Sequence, residues 1–361
     1  MAARRKTTRR PEDGLGVHLM RATIKQVAAA AGVSPATVSN VLNKTRFVSP
    51  ELCDRVHKAM SDLNYEPNAL ARSLRNQRTC TIGVIVPDIS NPFYGTLSTA
   101  IEAKAREAGY TVMVCITHYD LQLEYAEIKT LVSKQVDGII IAFSADNLTA
   151  VRYAHGHHVP VIVVDWFVND AWYDVVTADN RQGGYLAARH LLGLGHRDVA
   201  YVTGRLDGMP SSERLAGFLT AMSDAGIRTP KSWIIHYPKF DFSEARATVR
   251  RLLDSRKPPT AVCFGNDYMA LGALSALHEA GLRVPDDISI VGFDDIWVSS
   301  LSNPTLTTVR QPTTRLGEEA FAILLTNMVQ GGMIQGQKVT LGVELVKRDS
   351  SGPPPAYTPR R

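Results

Sequence analysis

The chain has 361 residues, 45% of them hydrophobic and 21% charged, with a formal net charge of +5. That length allows two to three domains. No apolar run approaches the ~18 residues a membrane span needs, and the basic amino terminus lacks the hydrophobic core of a secretory signal, so a cytoplasmic protein without a membrane partner is expected. The charge is unevenly divided: residues 1–79 carry 14 Lys and Arg against 6 Asp and Glu, whereas residues 80–361 carry 26 against 29. A small basic head on a mildly acidic body points to a polyanionic partner for the head alone. Cys53, Cys80, Cys115 and Cys263 lie far apart, with neither metal nor redox spacing, and read as reduced structural thiols.

Residues 1–20 contain "ARRKTTRRPEDG" and are expected to be a disordered basic extension. A three-helix unit is expected over 21–66. Thr23-Ile-Lys-Gln26 has capping-box spacing. Ile24, Val27, Ala28 and Ala31 then recur as an amphipathic stripe. Gly32 supplies the left-handed turn that ends the helix. Ser34 and Pro35 open a second helix as cap and first residue, and Ser49-Pro50 repeats that device for a third. Two short helices joined by a tight glycine turn, with a third behind, is the helix-turn-helix arrangement. The second helix presents Pro35, Ala36, Thr37, Ser39 and Asn40, a small polar face suited to entering a DNA groove. A protein-binding three-helix bundle is the competing reading, and the basicity favours DNA.

Residues 67–79 form a linker. Pro67 stops the third helix and Asn68 offers a cap for "ALARSL". Two turns are unstable alone in water, so this helix should form only against a partner.

From Thr79 onward, apolar strands alternate with helical stretches in two rounds: "TIGVIVPD", "YTVMVCI", "DGIIIAF" and "VPVIVVDW", then "DVAYVTG", "SWIIHY", "TAVCFGND" and "ISIVGFDD". Continuous apolar strands between helices imply parallel sheets covered on both faces. Two rounds imply two doubly wound α/β subdomains, expected over 80–178 with 311–334 and over 179–310 with 335–348, followed by a disordered tail at 349–361. Ligands bind at the carboxyl ends of such strands. That rule selects Asp88–Tyr94, Asp165-Trp166, Asp179-Asn180, Arg205–Arg214, Asn266-Asp267 and Asp294-Asp295. Carboxylates accept from hydroxyls, arginine donates a fork, and aromatic rings cover apolar faces. Each residue has a plainer reading: Asp179 and Asp294 as cap or turn residues, Trp166 as core, Arg214 as a surface ion pair.

"ATIKQVAAAAGVSPATVSNVLN" and "VSPELCDRVHKAMSDLNYEPNALARSL" resemble the head of the lactose-repressor (LacI/GalR) family of bacterial regulators, and the similarity runs from about Ala22 to Arg348. "VDW", "ERLAGF" and "KSWII" are closest to the purine-responsive branch. The resemblance implies a helix-turn-helix head on a body like the periplasmic sugar-binding proteins. It further implies a homodimeric regulator, most often a repressor, on a pseudo-palindromic double-stranded operator and associated with the bacterial nucleoid when bound. Pro35, Ala36 and Asn40 would face base edges, and Thr23, Thr37, Ser39, Asn43 and Ser49 would hold phosphates. Ala71, Arg72 and Leu74 would enter the minor groove, with Leu74 as the wedge. Phe93, Tyr94, Trp166, Asp179, Arg214, Phe242, Asn266 and Asp294 match effector-contacting positions. Gly208, Met209 and Pro210 stand where purine-responsive relatives place polar base-reading side chains, so the expected effector is a sugar or polyol, with a nucleoside or purine base as the alternative. A sugar-binding receptor without a DNA role is the reading from another class. No cofactor, metal or catalytic residue is expected: "GLGHRD" follows a helix rather than a strand, "HGHH" ends a helix, and no nucleophile has a base partner. The Pro-rich "SGPPPAYTPRR" cannot form a heptad helix, which argues for a dimer.

Overall fold

The computed structural model describes residues 22–43, 46–66, 78–142, 148–166, 173–206, 209–237, 242–253, 255, 257–331 and 336–355. The expected extension at 1–20 and the hinge residues Ala71, Arg72 and Leu74 lie outside them. The chain divides into two compact units, Met1–Gln77 and Arg78–Arg361.

The smaller unit contains α1 (Ile24–Ala31), α2 (Pro35–Asn43) and α3 (Pro50–Asp62). Val27, Ala28, Ala31, Val38, Val41, Val56 and Ala59 form its core, and the short alanines of α1 let the helices approach closely. The Thr23–Gln26 capping box is complete in both directions. Gly32 closes α1 at φ +61°, and the Ser34 hydroxyl accepts from the Thr37 amide at 3.0 Å. Arg55 Nη2 of α3 donates to the carbonyls of Ala31 at 2.6 Å and Gly32 at 3.3 Å, which ties the third helix to the turn. Ser49 departs from expectation. Its backbone is extended before Pro50, but its hydroxyl makes no cap bond; proline at the first position has already removed one amide that needed an acceptor.

In chain order the larger unit runs β1 (Thr81–Val86), α4 (Pro92–Glu107), β2 (Thr111–Ile116), α5 (Leu121–Ser133), β3 (Gly138–Ala142), α6 (Leu148–Gly156), β4 (Val161–Val164) and β5 (Asp174–Ala178). It continues with α7 (Asn180–Gly193), β6 (Val199–Thr203), α8 (Met209–Asp224), β7 (Ile234–His236), α9 (Phe242–Leu253), β8 (Ala261–Phe264), α10 (Asp267–Glu279) and β9 (Ser289–Asp294). β10 (Thr307–Arg310), α11 (Thr313–Val329), β11 (Lys338–Leu341) and β12 (Glu344–Val346) complete it. The strands form two six-stranded sheets, ordered β11-β5-β4-β3-β1-β2 and β12-β10-β9-β8-β6-β7. Among these pairings only β10 with β12 is antiparallel. Helices cover both faces, so Ile139, Ile140 and Ile141 on successive positions of β3 are all fully buried, each such side chain stabilising by about 1.5–3 kcal/mol.

Two expectations about the carboxyl-terminal region are corrected. The span 335–348 does not belong wholly to the second lobe: β11 pairs with β5 in the first sheet, Lys338 opposite Val175 through Leu341 opposite Ala178. The chain returns to the second sheet only at β12. Residues 349–355, expected in a disordered tail, are packed. Ser350 is fully buried; its hydroxyl donates to Ile290 O at 2.7 Å and accepts from Thr307 N at 2.8 Å. His196 Nε2 meets Gly352 O at 2.9 Å and His190 Nε2 meets Ser351 Oγ at 2.8 Å. The bonds of Ser350 pair backbone groups near the amino ends of the interior strands β9 and β10, and that of His196 pairs the Gly352 carbonyl.

Candidate functional site

Both sheets reverse strand order, beside β1 and β3 in one lobe and beside β6 and β8 in the other, the positions at which doubly wound folds open a crevice. Phe93 and Tyr94 follow β1 on the first turn of α4, where Asn91 caps the helix through Phe93 N at 3.0 Å. Their rings meet edge to face at 5.1 Å. Arg214 lies on α8, after β6. Asp165 and Asp294 stand at the ends of β4 and β9 with φ +52° and +120°, conformations that cost a non-glycine residue about 1–3 kcal/mol and concentrate at working sites.

Arg214 is 3% exposed and is the centre of this group. Its Nε donates to Asn180 Oδ1 at 2.7 Å and its Nη1 to Gly265 O at 2.6 Å. Its plane covers the Phe293 ring at 3.9 Å. The two carboxylates stand farther off, Asp294 Oδ1 at 3.6 Å and Asp165 Oδ1 at 3.8 Å. Thus neutral acceptors fix the guanidinium, while both acids feel its charge without taking its protons. Asp294 is steadied by Gln311, whose Nε2 donates at 2.8 Å. Asp165 Oδ1 and Gln311 Oε1 are buried acceptors with no hydrogen bond among the described residues. Burial pushes the Asp165 carboxyl up to about 6 against the pull of Arg214. Burial likewise raises Asp294 well above the carboxylate range, again opposed by Arg214, and it raises the Tyr94 phenol, which feels Tyr119, Asp165, Asp294 and Arg214.

The Asp165 shift has a sign that can be tested. A carboxyl raised in the folded state binds its proton more tightly there than in the unfolded chain, so its contribution is complete below the unfolded value of about 4 and is lost as pH rises to about 6. Asp165→Asn should therefore gain melting temperature relative to the parent between about pH 4 and pH 7. A pH-independent difference between the two melting curves would count against a buried, protonatable Asp165.

The remaining expected effector residues are placed differently. Asn266 is buried and caps α10 through Met269 N at 2.9 Å. Asp179 caps α7 through Gln182 N at 2.9 Å and lines a recess with Asn180, Arg181, Pro210, Glu213 and Thr340. Trp166 is 8% exposed and packs in a hydrophobic cluster with Tyr173 and Val163. Phe242 opens α9; its side chain lies outside the described residues, as do residues 207–208. Gln311 escaped the sequence reading, whereas Asp267, just past the Asn266 cap, falls in one of the strand-end positions it selected. Asp267 is fully buried and accepts from Ile296 N at 3.0 Å, Ser299 Oγ at 2.7 Å and Thr308 Oγ1 at 2.5 Å, knitting the loop after β9 to the sheet. A Cβ on Gly292 would sit 2.1 Å from its Oδ1, so only glycine allows that approach.

In the small unit, Pro35 and Ala36 are exposed, and Thr37, Ser39 and Asn40 are half-buried on α2. Several expected phosphate ligands already have partners: Thr23 Oγ1 donates to Gln26 Oε1 at 2.9 Å, Thr37 Oγ1 meets Ser34 Oγ at 2.9 Å, and Asn43 Nδ2 donates to Ser39 O at 2.7 Å. Phe47, in the loop between α2 and α3 and beside exposed Arg46, is 93% exposed. The sequence reading passed over it because one aromatic in a turn carries no periodic signal.

Residues 23–68 match the model of the bacterial regulatory proteins of the lacI family, and residues 188–351 match a periplasmic binding protein-like domain. The chain is 40% identical over 305 residues to the HTH-type transcriptional repressor PurR of Aliivibrio salmonicida, covering 84% of this chain and 91% of that protein. It is 38% identical over 331 residues to the ribose operon repressor of Escherichia coli, covering 91% and 100%. Among solved structures, the Lac repressor dimer bound to operator and the anti-inducer ONPF aligns with a TM-score of 0.82 at 30% identity, covering 92% of this chain and 99% of that one. A LacI family regulator from Enterococcus faecium with bound ribose aligns with a TM-score of 0.69 at 35% identity, covering 76% and 99%. With a helix-turn-helix unit and a two-sheet α/β unit in this order, and at these identities, the chain belongs to the lacI family of bacterial regulatory proteins.

Proposed function

We propose that the chain is a homodimeric transcriptional repressor of the bacterial cytoplasm, not an enzyme, and that its grip on a pseudo-palindromic operator is set by a sugar held between the two lobes of the larger unit. The observation that carries the effector class is the surplus of buried acceptors around Arg214. Among the described residues, Asp165 Oδ1 and Gln311 Oε1 lack donors, and the Asp294 carboxyl has a side-chain donor at hydrogen-bond distance only in Gln311. Buried acceptors left unpaired cost free energy, and a polyol brings several hydroxyl donors in a small volume. A purine base brings few donors and mostly acceptors of its own, so it satisfies this group less well. Tyr94 and Phe93 supply apolar faces for ring carbons. The relatives at similar identity include a ribose operon repressor and a ribose-bound structure, which makes D-ribose the first probe and hypoxanthine the comparator.

In the head, exposed Pro35 and Ala36 would meet base edges, with Asn40 pairing an adenine through its amide. Thr23, Thr37, Ser39, Asn43 and Ser49 would fix register against phosphates, and Phe47 adds an apolar contact beside them. Operator selection from a random duplex pool tests this assignment. The parent chain should yield a palindromic consensus. Asn40→Ala should lose preference at one position in each half-site, worth about 1–3 kcal/mol of discrimination, while overall affinity for non-specific duplex stays the same. An unchanged consensus would remove Asn40 from the reading surface.

A further inference from the structure

The two shortest bonds of Arg214 go to neutral oxygens, and one of these belongs to the residue that follows a crossing between the lobes. The chain passes between the sheets three times among the described residues: from β5 to α7, from β10 to α11, and from β11 to β12. We propose that Asn180, at the first of these crossings, is a positioning residue that aims the Arg214 guanidinium, and that Gln311, at the second, does the same for Asp294. The proposal rests on reading the Arg214 group as the effector site.

The amide of Asn180 is 7% exposed and has one orientation that satisfies its neighbours. A guanidinium only donates, so Oδ1 must face Arg214 Nε. Nδ2 is then left for two acceptors, Ala178 O at 3.1 Å and Thr177 Oγ1 at 3.4 Å, both at the end of β5 in the first sheet. One side chain thereby spans from a first-lobe strand to a second-lobe arginine. Gln311 mirrors it. Its backbone N–H donates to Asp294 O at 3.2 Å and its Nε2 to Asp294 Oδ1 at 2.8 Å, while Pro312 next to it begins the first-lobe helix α11.

The consequence is mechanical. Arg214 and Asp294 both sit in the second lobe, on α8 and at the end of β9, whereas Asp165 follows β4 of the first. Through Asn180 and Gln311 the aim of the guanidinium and of the Asp294 carboxyl depends on backbone angles at two of the three crossings. A ligand that bridges these groups to Asp165 therefore favours the lobe angle at which both amides reach their partners. Its differential affinity for that angle is the coupling free energy that the dimer can transmit. Neither amide needs to touch the ligand for this to hold.

Two readouts on the full-length chain test the assignment: proton exchange at the Arg214 Nε–H followed by NMR, and D-ribose affinity by calorimetry. Asn180→Ala should speed that exchange and weaken D-ribose binding, each by about tenfold. Asn180→Asp keeps an acceptor for Nε–H and should return both to within about threefold of the parent. A side chain with a merely structural role would lower melting temperature without selectively exposing the Arg214 Nε–H, and the aspartate would rescue nothing. Slow exchange persisting in Asn180→Ala, or fast exchange in both variants, overturns the proposal. Should Arg214→Ala still bind D-ribose normally, the effector reading falls, while the exchange measurement in the unliganded protein still decides what Asn180 does.

Discussion

Arg214→Ala should lower effector affinity by at least about a hundredfold and abolish the effector's influence on operator binding, with the fold retained. Truncating one member of a buried charge group typically costs about 3–5 kcal/mol, because the charges left behind lose their partner. Here the remnants are Asp165 and Asp294, both nearly inaccessible to water. Without the guanidinium they resist ionisation even more strongly, because burial, joined at Asp294 by the nearby Asp267 and Asp165 carboxylates, then goes without its main opponent. The variant should therefore melt below the parent at neutral pH and recover part of that loss as the solution is acidified and both carboxyls take up protons. Arg214→Lys should not rescue binding. A lysine keeps the positive charge, but it has no planar fork to bond Asn180 and Gly265 at once, and it loses the flat contact with Phe293. Calorimetry with D-ribose and anisotropy of labelled operator measure the two losses. Normal ligand response in Arg214→Ala would mean that the effector binds elsewhere.

Gly184→Ala should be the most destabilising single-carbon change in the larger unit. Helices α7 and α8 pack backbone to backbone. A Cβ on Gly184 would lie 1.9 Å from the carbonyl oxygen of Arg214, and one on Gly217 would lie 1.9 Å from that of Arg181. A flexible side chain could yield to such a contact, but a helix carbonyl cannot. The helices must separate, at a cost of about 3 kcal/mol or more, and the separation displaces the residue on which the site depends. Gly193→Ala in the same helix is the control. A Cβ there meets nothing within 4 Å, so stability should hold or rise by a few tenths to about 1 kcal/mol. Denaturant midpoints for the two variants should differ sharply, and effector affinity should fall only in Gly184→Ala. Equal midpoints would show that the helix contact is looser than described.

The head was readable from sequence because its determinants are local. The Thr23 box, Gly32 and the Ser34-Pro35 start each act within one turn of chain, and the structure carries all three. Ser49 shows the limit of that logic: the residue type suits a cap, but the hydroxyl is not used. Strand-end acids and an arginine in a loop-proximal helix pointed to the group around Arg214, since parallel sheets gather such positions at one edge. Asn266, expected as an effector contact, lies buried at the same edge and caps α10. Gln311 and the role of Asn180 were invisible because they consist in reaching another side chain 17 or 34 residues away. The same holds for the return of β11 to the first sheet, where a crossing through Gly342 carries no mark of which edge it leaves. Ser350 and Gly352 sit in a Ser-, Gly- and Pro-rich stretch that reads as disordered, yet their partners, Ile290, Thr307 and His196, stand 43 to 156 residues upstream.

The most direct measurement is the affinity of the full-length dimer for its selected operator, titrated with D-ribose and separately with hypoxanthine at fixed salt. If the buried acceptors around Arg214 are a hydroxyl-reading site that governs the head, D-ribose should change operator affinity by about tenfold or more, and Arg214→Ala should not respond. Operator affinity that stays constant across the sugar titration, although calorimetry shows the sugar bound in the cleft, would contradict that coupling; a response to hypoxanthine alone would contradict the choice of ligand.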